Sequence, residues 1–404
     1  MSTKIFKLEN NIEVFCKNNP NTPRIALCFN VKSNKPETVP GAEGVMARLF
    51  MQGTKTRTAE QLANELEEYA IEFSTDAKSD YTRLKFVCLN EDFEKALEIM
   101  EDIIKNSTFE DFDREVKKME GEIVAELDSP RAKVVDNYYS TLFANHPYGH
   151  TNAKVLENID KITKEEVLAS YNAFLNDSKK VISVVGDIES DKVEELLSKA
   201  FKDLPSSIEA NNGLAKPELT EKKYVESVKP DANQAHIIKG WLVGSSRGED
   251  YPALLLLNII LGASGLSSRL FLELRDKKGL AYVVRSCYET FNLCADFYIY
   301  IATEPKNIEV SLAGFDEELE KIKNIPISQE ELDNARNNLI GKWAFTQETN
   351  NSQAMLFAHN GILGLGFDFN QKTREKLKDV TVEQVQECAK KYFNEYSVTS
   401  ILKP

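Results

Sequence analysis

Histidine is scarce in this chain. Only four occur among its 404 residues, His146, His150, His236 and His359. His146 and His150 are spaced like a helical pair, but Pro147 and Gly149 lie between them, so the spacing describes a turn. His236 and His359 are isolated, and no histidine cluster for a metal remains. Cysteine supplies no substitute. The six cysteines (Cys16, Cys28, Cys88, Cys287, Cys294, Cys388) form no Cys-x-x-Cys pair. Most sit among apolar neighbours, as in Ala26-Leu27-Cys28-Phe29, which reads as buried free thiols in a reducing compartment. The longest apolar run, Ala253 to Leu261, is interrupted by Asn258 and falls far short of the roughly 20 residues of a membrane span. Met1 to Asn10 carry no apolar run of the signal-peptide kind, so a soluble, cytoplasmic chain with no membrane span is expected. No Gly-x-Gly-x-x-Gly follows a strand and no Walker-type loop occurs, which leaves nucleotide chemistry without support. Positive charge is in deficit as well. A net charge of -14 argues against nucleic-acid partners, and an ordinary acidic soluble protein is preferred to a receptor for basic peptides.

What is present suffices for two cores. The chain is 42% hydrophobic and 28% charged, and its length suits two domains of ordinary size. The clearest signal is duplication. Ile159 to Val167 leads through Tyr171 and Phe174 to a β-branched run at Val181 to Val185. Leu377 to Val385 leads likewise through Tyr392 and Phe393 to Val398 to Leu402. Each copy has a threonine N-cap (Thr163, Thr381), a helix and then a strand. Upstream, Phe109 to Leu127 and Ile327 to Phe345 correspond, with Gly121 and Gly341 at matching points. The run Leu204 to Pro217 is rich in Pro, Ser, Asn and Gly and lies where the duplication breaks. The expected organisation is a domain over 1–205, a linker over 206–220 and a second domain over 221–404.

Ile12 to Cys16 and Arg24 to Val31 read as strands, Gly41 to Gln52 as a helix, and Thr58-Ala-Glu-Gln61 as a capping box opening another. Tyr81 to Leu89 reads as a strand. Asp111 to Leu127 is a long amphipathic helix with Val116, Met119, Ile123 and Leu127 inward. Hairpin-linked strands mixed with segregated helices predict an α+β fold of largely antiparallel sheets with helices packed on one side.

Gly44, Ala47 and Arg48 fall on one side of the helix beginning at Gly41. An inverted zinc motif uses this spacing to put two histidines on the metal and a glutamate beside its water. Glycine and alanine donate nothing, and a guanidinium stays protonated and repels a dication.

The stretches Pro40 to Arg48, Phe50 to Glu60, His146-Pro147-Tyr148-Gly149 and Val184-Val185-Gly186-Asp187 resemble, in order, landmarks of the pitrilysin or insulinase (M16) zinc peptidases, which include the mitochondrial processing peptidases. Leu261-Gly262, Ser267 to Phe271, Leu274-Arg275 and Gly279 to Tyr282 resemble the family's second-half signature. The resemblance covers nearly the whole chain and implies two homologous domains of the processing-peptidase (LuxS-like) metallohydrolase fold. It implies a degenerate zinc motif at Gly44, Ala47 and Arg48, and residual zinc-helix acids at Glu115 and Glu122, whose bland reading is solvated or salt-bridged helix acids. It implies that Arg275 and Tyr282 bind substrate and stabilise an oxyanion in another chain's site. The bland reading pairs Arg275 with Glu273 or Asp276 and packs Tyr282 on a strand. The family's substrate-holding edge strand corresponds to Ser74 and Thr75. The loop Leu261 to Leu266 is shorter than the glycine loop of non-catalytic processing-peptidase subunits, so that loop's role is not implied.

The resulting expectation is a non-catalytic subunit, inactive alone, of a heterodimeric zinc metalloendopeptidase that acts on peptide or unfolded polypeptide. No cofactor is expected on this chain, and zinc is expected on a homologous subunit carrying His-x-x-Glu-His. The alternative is a peptide-binding or scaffold protein of the same fold with no part in proteolysis.

Overall fold

A computed structural model of the chain describes residues 2–209, 211 and 213–404. Ala210 and Asn212, inside the expected linker, and Met1 at the expected leaderless amino terminus lie outside the described residues. The first half runs β1 (Thr3–Lys7), β2 (Glu13–Asn18), β3 (Arg24–Ser33), α1 (Ala42–Leu49), α2 (Ala59–Glu68), β4 (Glu72–Ala77), β5 (Thr82–Leu89) and α3 (Phe93–Asn106). It continues with α4 (Phe112–Leu127), α5 (Pro130–Leu142), α6 (Asn152–Glu157), α7 (Lys164–Asn176), β6 (Ser178–Gly186) and α8 (Ser190–Phe201). The second half has β7 (Lys223–Val228), β8 (Ala235–Val243), α9 (Tyr251–Asn258), two π-helical segments (Ile259–Ala263 and Phe271–Lys277), β9 (Ala281–Thr290) and β10 (Ala295–Thr303). It ends with α10 (Ile308–Asn324), α11 (Gln329–Thr346), α12 (Asn350–Ile362), α13 (Phe369–Asp379), α14 (Val382–Tyr392) and β11 (Val398–Lys403).

These strands make two sheets, in the orders β1-β2-β6-β3-β5-β4 and β7-β11-β8-β10-β9. Only β2 with β6 and β7 with β11 pair in parallel, so the α+β reading holds. In the second half β7, β8 and β10 were not read from the sequence, and in the first half two strands show no signal of their own, β1 and β4, the latter placed only by the resemblance at Ser74 and Thr75. Both are sheet-edge strands whose residues stay at least partly exposed, so neither shows a buried apolar alternation. The helix starts follow local chemistry. Thr58 and Thr381 close capping boxes with Gln61 and Gln384, and Thr163 accepts from the Glu166 amide.

Two compact units result, and they do not follow chain order. One comprises Met1–Glu122, Val155–Leu214 and Phe345–Phe369; the other comprises Ile123–Lys154, Ala215–Ala344 and Asn370–Pro404. In the first, period-two alternation on β3 sends Phe29 to stack on Phe201 of α8 at 5.7 Å and Ala26 and Cys28 to the opposite face. There Ala354 and Ala358 of α12 pack against them and Val185. In the second unit, Ile237, Phe297, Ile299 and Ile301 pack with residues of α9, α10 and α14. Ile238, Tyr298 and Tyr300 face Val134 and Tyr138 of α5. Each sheet thus carries its main helix layer on one side and one extra helix on the other. That extra helix is the one following the long duplicated helix, α4 or α11, of the opposite half of the chain. Gly240 allows the approach of α5, because a Cβ there would lie 2.2 Å from the Tyr138 hydroxyl. None of the six cysteines forms a disulfide; five are buried and Cys287 is half-buried.

Within the first unit, Tyr81 Oη and His359 Nδ1 of α12 are 3.0 Å apart. Burial pushes the His359 pKa below that of a free imidazole, and burial does the same to His236 in the second unit. Below pH 6.5 the unfolded chain therefore takes up protons that the fold excludes, so this contribution is intact above pH 6.5 and is lost as the pH falls below it. In urea melts the midpoint of His359→Asn relative to that of the wild type should rise as the pH falls from 7.5 to 5.5.

Candidate functional site

The degenerate motif lies on α1, an eight-residue helix whose first turn is capped from outside. The Glu37 carboxylate accepts from the amides of Gly41 and Glu43 at 3.0 to 3.1 Å, an anion at the positive end of the helix. Ala47 is buried, and its carbonyl accepts the Thr75 hydroxyl at 2.5 Å, which fixes α1 beside the edge strand β4. Thr75, expected on sequence grounds to lie at an edge, does so, with Ser74 beside it on the same outermost strand.

The helix facing this motif is α4, and its contacts explain what replaced the expected donors. A Cβ at Gly44 would sit 3.7 Å from Met119 Sδ, an ordinary contact, so a thioether occupies the space beside a residue with no side chain. Arg48 donates to Glu122 at 2.5 Å, and this bond holds the Glu122 carboxylate below its usual pKa. Glu122 is a salt-bridged helix acid, as its bland sequence reading has it. Glu115, two turns earlier, is buried, with Arg114 Nε at 3.8 Å from its carboxylate. A permanent cation thus lies against Glu122, and the donor set does not fit zinc. Among the described residues no group of three or more His, Cys, Asp or Glu is placed to hold a metal ion. His146 begins a short 3-10 turn over Pro147–Gly149, with Nδ1 accepting from the Tyr148 amide at 3.1 Å, which agrees with the turn read from Pro147 and Gly149.

The second unit brings Arg275 and Tyr282 together. Arg275 lies in the π-helical segment Phe271–Lys277, where the Lys278 amide donates to the Glu273 carbonyl at 3.2 Å, one residue further back than in an α-helix. Gly279 then turns the chain at φ +63°, a conformation that suits glycine, and the chain enters β9. Opposite β9, Ala302 pairs with Val283 and Thr303 with Ala281, so Tyr282 is the unpaired residue of a β-bulge. The bulge turns Tyr282 and its neighbour Val283 both outward, and Tyr282 is 76% exposed. The guanidinium of Arg275 sits 4.7 Å from the Tyr282 ring centroid and 4.5 Å from that of Phe271. Pairing of Arg275 with Glu273 does not occur. Glu273 binds Lys277 at 2.5 Å instead. Among the described residues Arg275 has no carboxylate partner. Phe271 was missed as a member of this group, and its i,i+4 spacing from Arg275 was the available signal.

Two outcomes follow from the α1–α4 geometry. A double-mutant cycle of Arg48→Ala and Glu122→Ala, read by chemical denaturation, should give a coupling of about 0.5–1 kcal/mol, because both side chains are partly exposed. Gly44→His combined with Arg48→His should recover stoichiometric zinc beside Glu122 after gel filtration. Metal-free double variant would show that the helix pair has lost the zinc geometry as well as the donors.

Comparison with known proteins agrees with this anatomy. Residues 14–154 match the family model described as insulinase (peptidase family M16), and residues 161–339 match that of the peptidase M16 inactive domain. The chain is 25% identical to the uncharacterized zinc protease YmxG of Bacillus subtilis, over 99% of this chain and 98% of that one. It is 26% identical to an uncharacterized zinc protease of Rickettsia felis, over 99% and 97%. Among solved structures, a protease from Helicobacter pylori superposes over the whole of both chains with a TM-score of 0.91 at 23% identity. A peptidase M16 inactive domain from Pseudomonas fluorescens covers all of this chain and 98% of its own with a TM-score of 0.89 at 21% identity. With both family models matched in order and the fold shared end to end, the chain belongs to the M16 (insulinase) family, as a member carrying its inactive-type domain.

Proposed function

We propose that this chain is the non-catalytic subunit of a heterodimeric zinc endopeptidase, offering Arg275 and Tyr282 to a site completed by a homologous subunit with an intact His-x-x-Glu-His. The observation that carries the reading is an asymmetry within one chain. The metal half has been replaced by an ion pair between Arg48 and Glu122, whereas the Arg275–Tyr282 half is assembled and outward-facing. A fixed guanidinium and a phenol hydroxyl are both hydrogen-bond donors, suited to a peptide carbonyl oxygen that gains negative charge during hydrolysis. The metal, and the base acting on its water, come from the partner subunit. The substrate is a peptide or unfolded polypeptide. The edge strand β4, tied to α1 through Thr75, offers unpaired backbone groups for an extended segment. The zinc protease names of the relatives over nearly their full lengths support a peptidase setting. No helix among the described residues is long and apolar enough to cross a membrane.

One observation favours a second reading, a scaffold or peptide-binding protein with no part in proteolysis. Stacking on two rings gives Arg275 a packing role that needs no substrate. Peptidase assay of the chain mixed with its His-x-x-Glu-His partner separates the two. Under the proposed function the mixture cleaves peptide and neither chain does so alone. Arg275→Ala should then lower kcat on the order of 10²-fold and Tyr282→Phe by roughly tenfold, with the zinc content of the mixture unchanged. An inactive mixture, or full activity in both variants, favours the scaffold.

A further inference from the structure

Arg275 should be mobile by the ordinary rules for a long cationic side chain near a surface, with several rotatable bonds and acids within reach. Its surroundings oppose that on two counts. Glu273, on the same segment, is held by Lys277 at 2.5 Å, and among the described residues neither it nor Asp276 is paired with Arg275. Lys321 also approaches Glu273 at 4.0 Å. The guanidinium is left to two aromatic rings. Tyr282 is the exposed one, re-aimed by the bulge. Phe271 is the buried one, only 9% exposed, on the same π-helical segment as Arg275.

A ring quadrupole attracts the guanidinium without using its N–H groups, which a carboxylate would occupy. Such a seat orders the side chain while leaving all five donors for a ligand. We infer that Phe271 is a positioning residue. It holds the Arg275 guanidinium against Tyr282, so that the two donors form one rigid unit before any substrate arrives. Preorganisation of this kind reduces the ordering cost at the moment of binding. The inference rests on the proposed role of Arg275 and Tyr282 for its effect on catalysis, but the seat itself is a property of the isolated chain and is tested there.

The test compares Phe271→Leu, which removes the ring, with Phe271→Tyr, which keeps it, after circular dichroism confirms that each is folded. The first readout is the Arg275 Nε–Hε resonance of the isolated chain, assigned by its loss in Arg275→Ala. Ring currents should displace it in the wild type and in Phe271→Tyr, and Phe271→Leu should move it toward the position of a free arginine. The second readout is kcat/KM of the chain with its catalytic partner, expected to fall roughly three- to tenfold in Phe271→Leu and to be retained in Phe271→Tyr. In an Arg275→Ala background, Phe271→Leu should cause no further loss. The positioning role is overturned if Phe271→Leu leaves the resonance in place, if Phe271→Tyr behaves like Phe271→Leu, or if Phe271→Leu costs the same factor without Arg275. An inactive mixture with a resonance that moves as described overturns the shared-site function and leaves the seat standing.

Discussion

The ion pair between Arg48 and Glu122 is the constraint to which the chemistry of this chain answers. A guanidinium keeps its proton at any physiological pH, so the α1–α4 seam always holds a cation of its own. Glu122, at 2.5 Å, is satisfied by that cation and shifted further toward its charged form. A dication would have to displace Arg48 and overcome its repulsion, with Gly44 and Ala47 offering no ligand in return. The replacement conserves charge balance at the seam, so α4 keeps an acid facing α1 without leaving it uncompensated.

With that half closed, the proposed function rests on the second unit. Three departures from regular structure cooperate there: a π-helical segment that carries Arg275, a glycine turn at Gly279, and a bulge that turns Tyr282 outward. Each costs regular hydrogen bonding or backbone freedom, and such departures concentrate where a side chain must be aimed. α1 is a regular α-helix entered through a left-handed glycine, Gly41 at φ +97°, and carries neither a π-helical turn nor a bulge.

Sequence alone revealed the duplication because each copy repeats a threonine cap, an apolar stripe and a β-branched strand, all local signals. It also placed Met119 and Ile123 on the buried face of α4, with Val116 and Leu127 half-buried, and the turn at His146. The exchange of α5 and α12 between the sheets was not legible, since it depends on contacts such as Tyr138 over Gly240, about a hundred residues apart, that leave no periodic trace. In the candidate site, the loss of zinc donors could be read directly from Gly44, Ala47 and Arg48. The ion pair that fills the gap could be named only as one bland reading for Glu122. The bland alternative, Arg275 paired with Glu273 or Asp276, followed proximity in sequence, but Lys277 takes Glu273 and the guanidinium lies against the rings of Phe271 and Tyr282.

The central claim is that this chain supplies no metal site and that any zinc belongs to another subunit. Titrating the purified chain with zinc, followed by removal of loose metal and elemental analysis, tests it most directly. The account predicts no stoichiometric zinc on the isolated chain, with or without a peptide substrate. One zinc retained per chain, together with peptide cleavage by the chain alone, would contradict it.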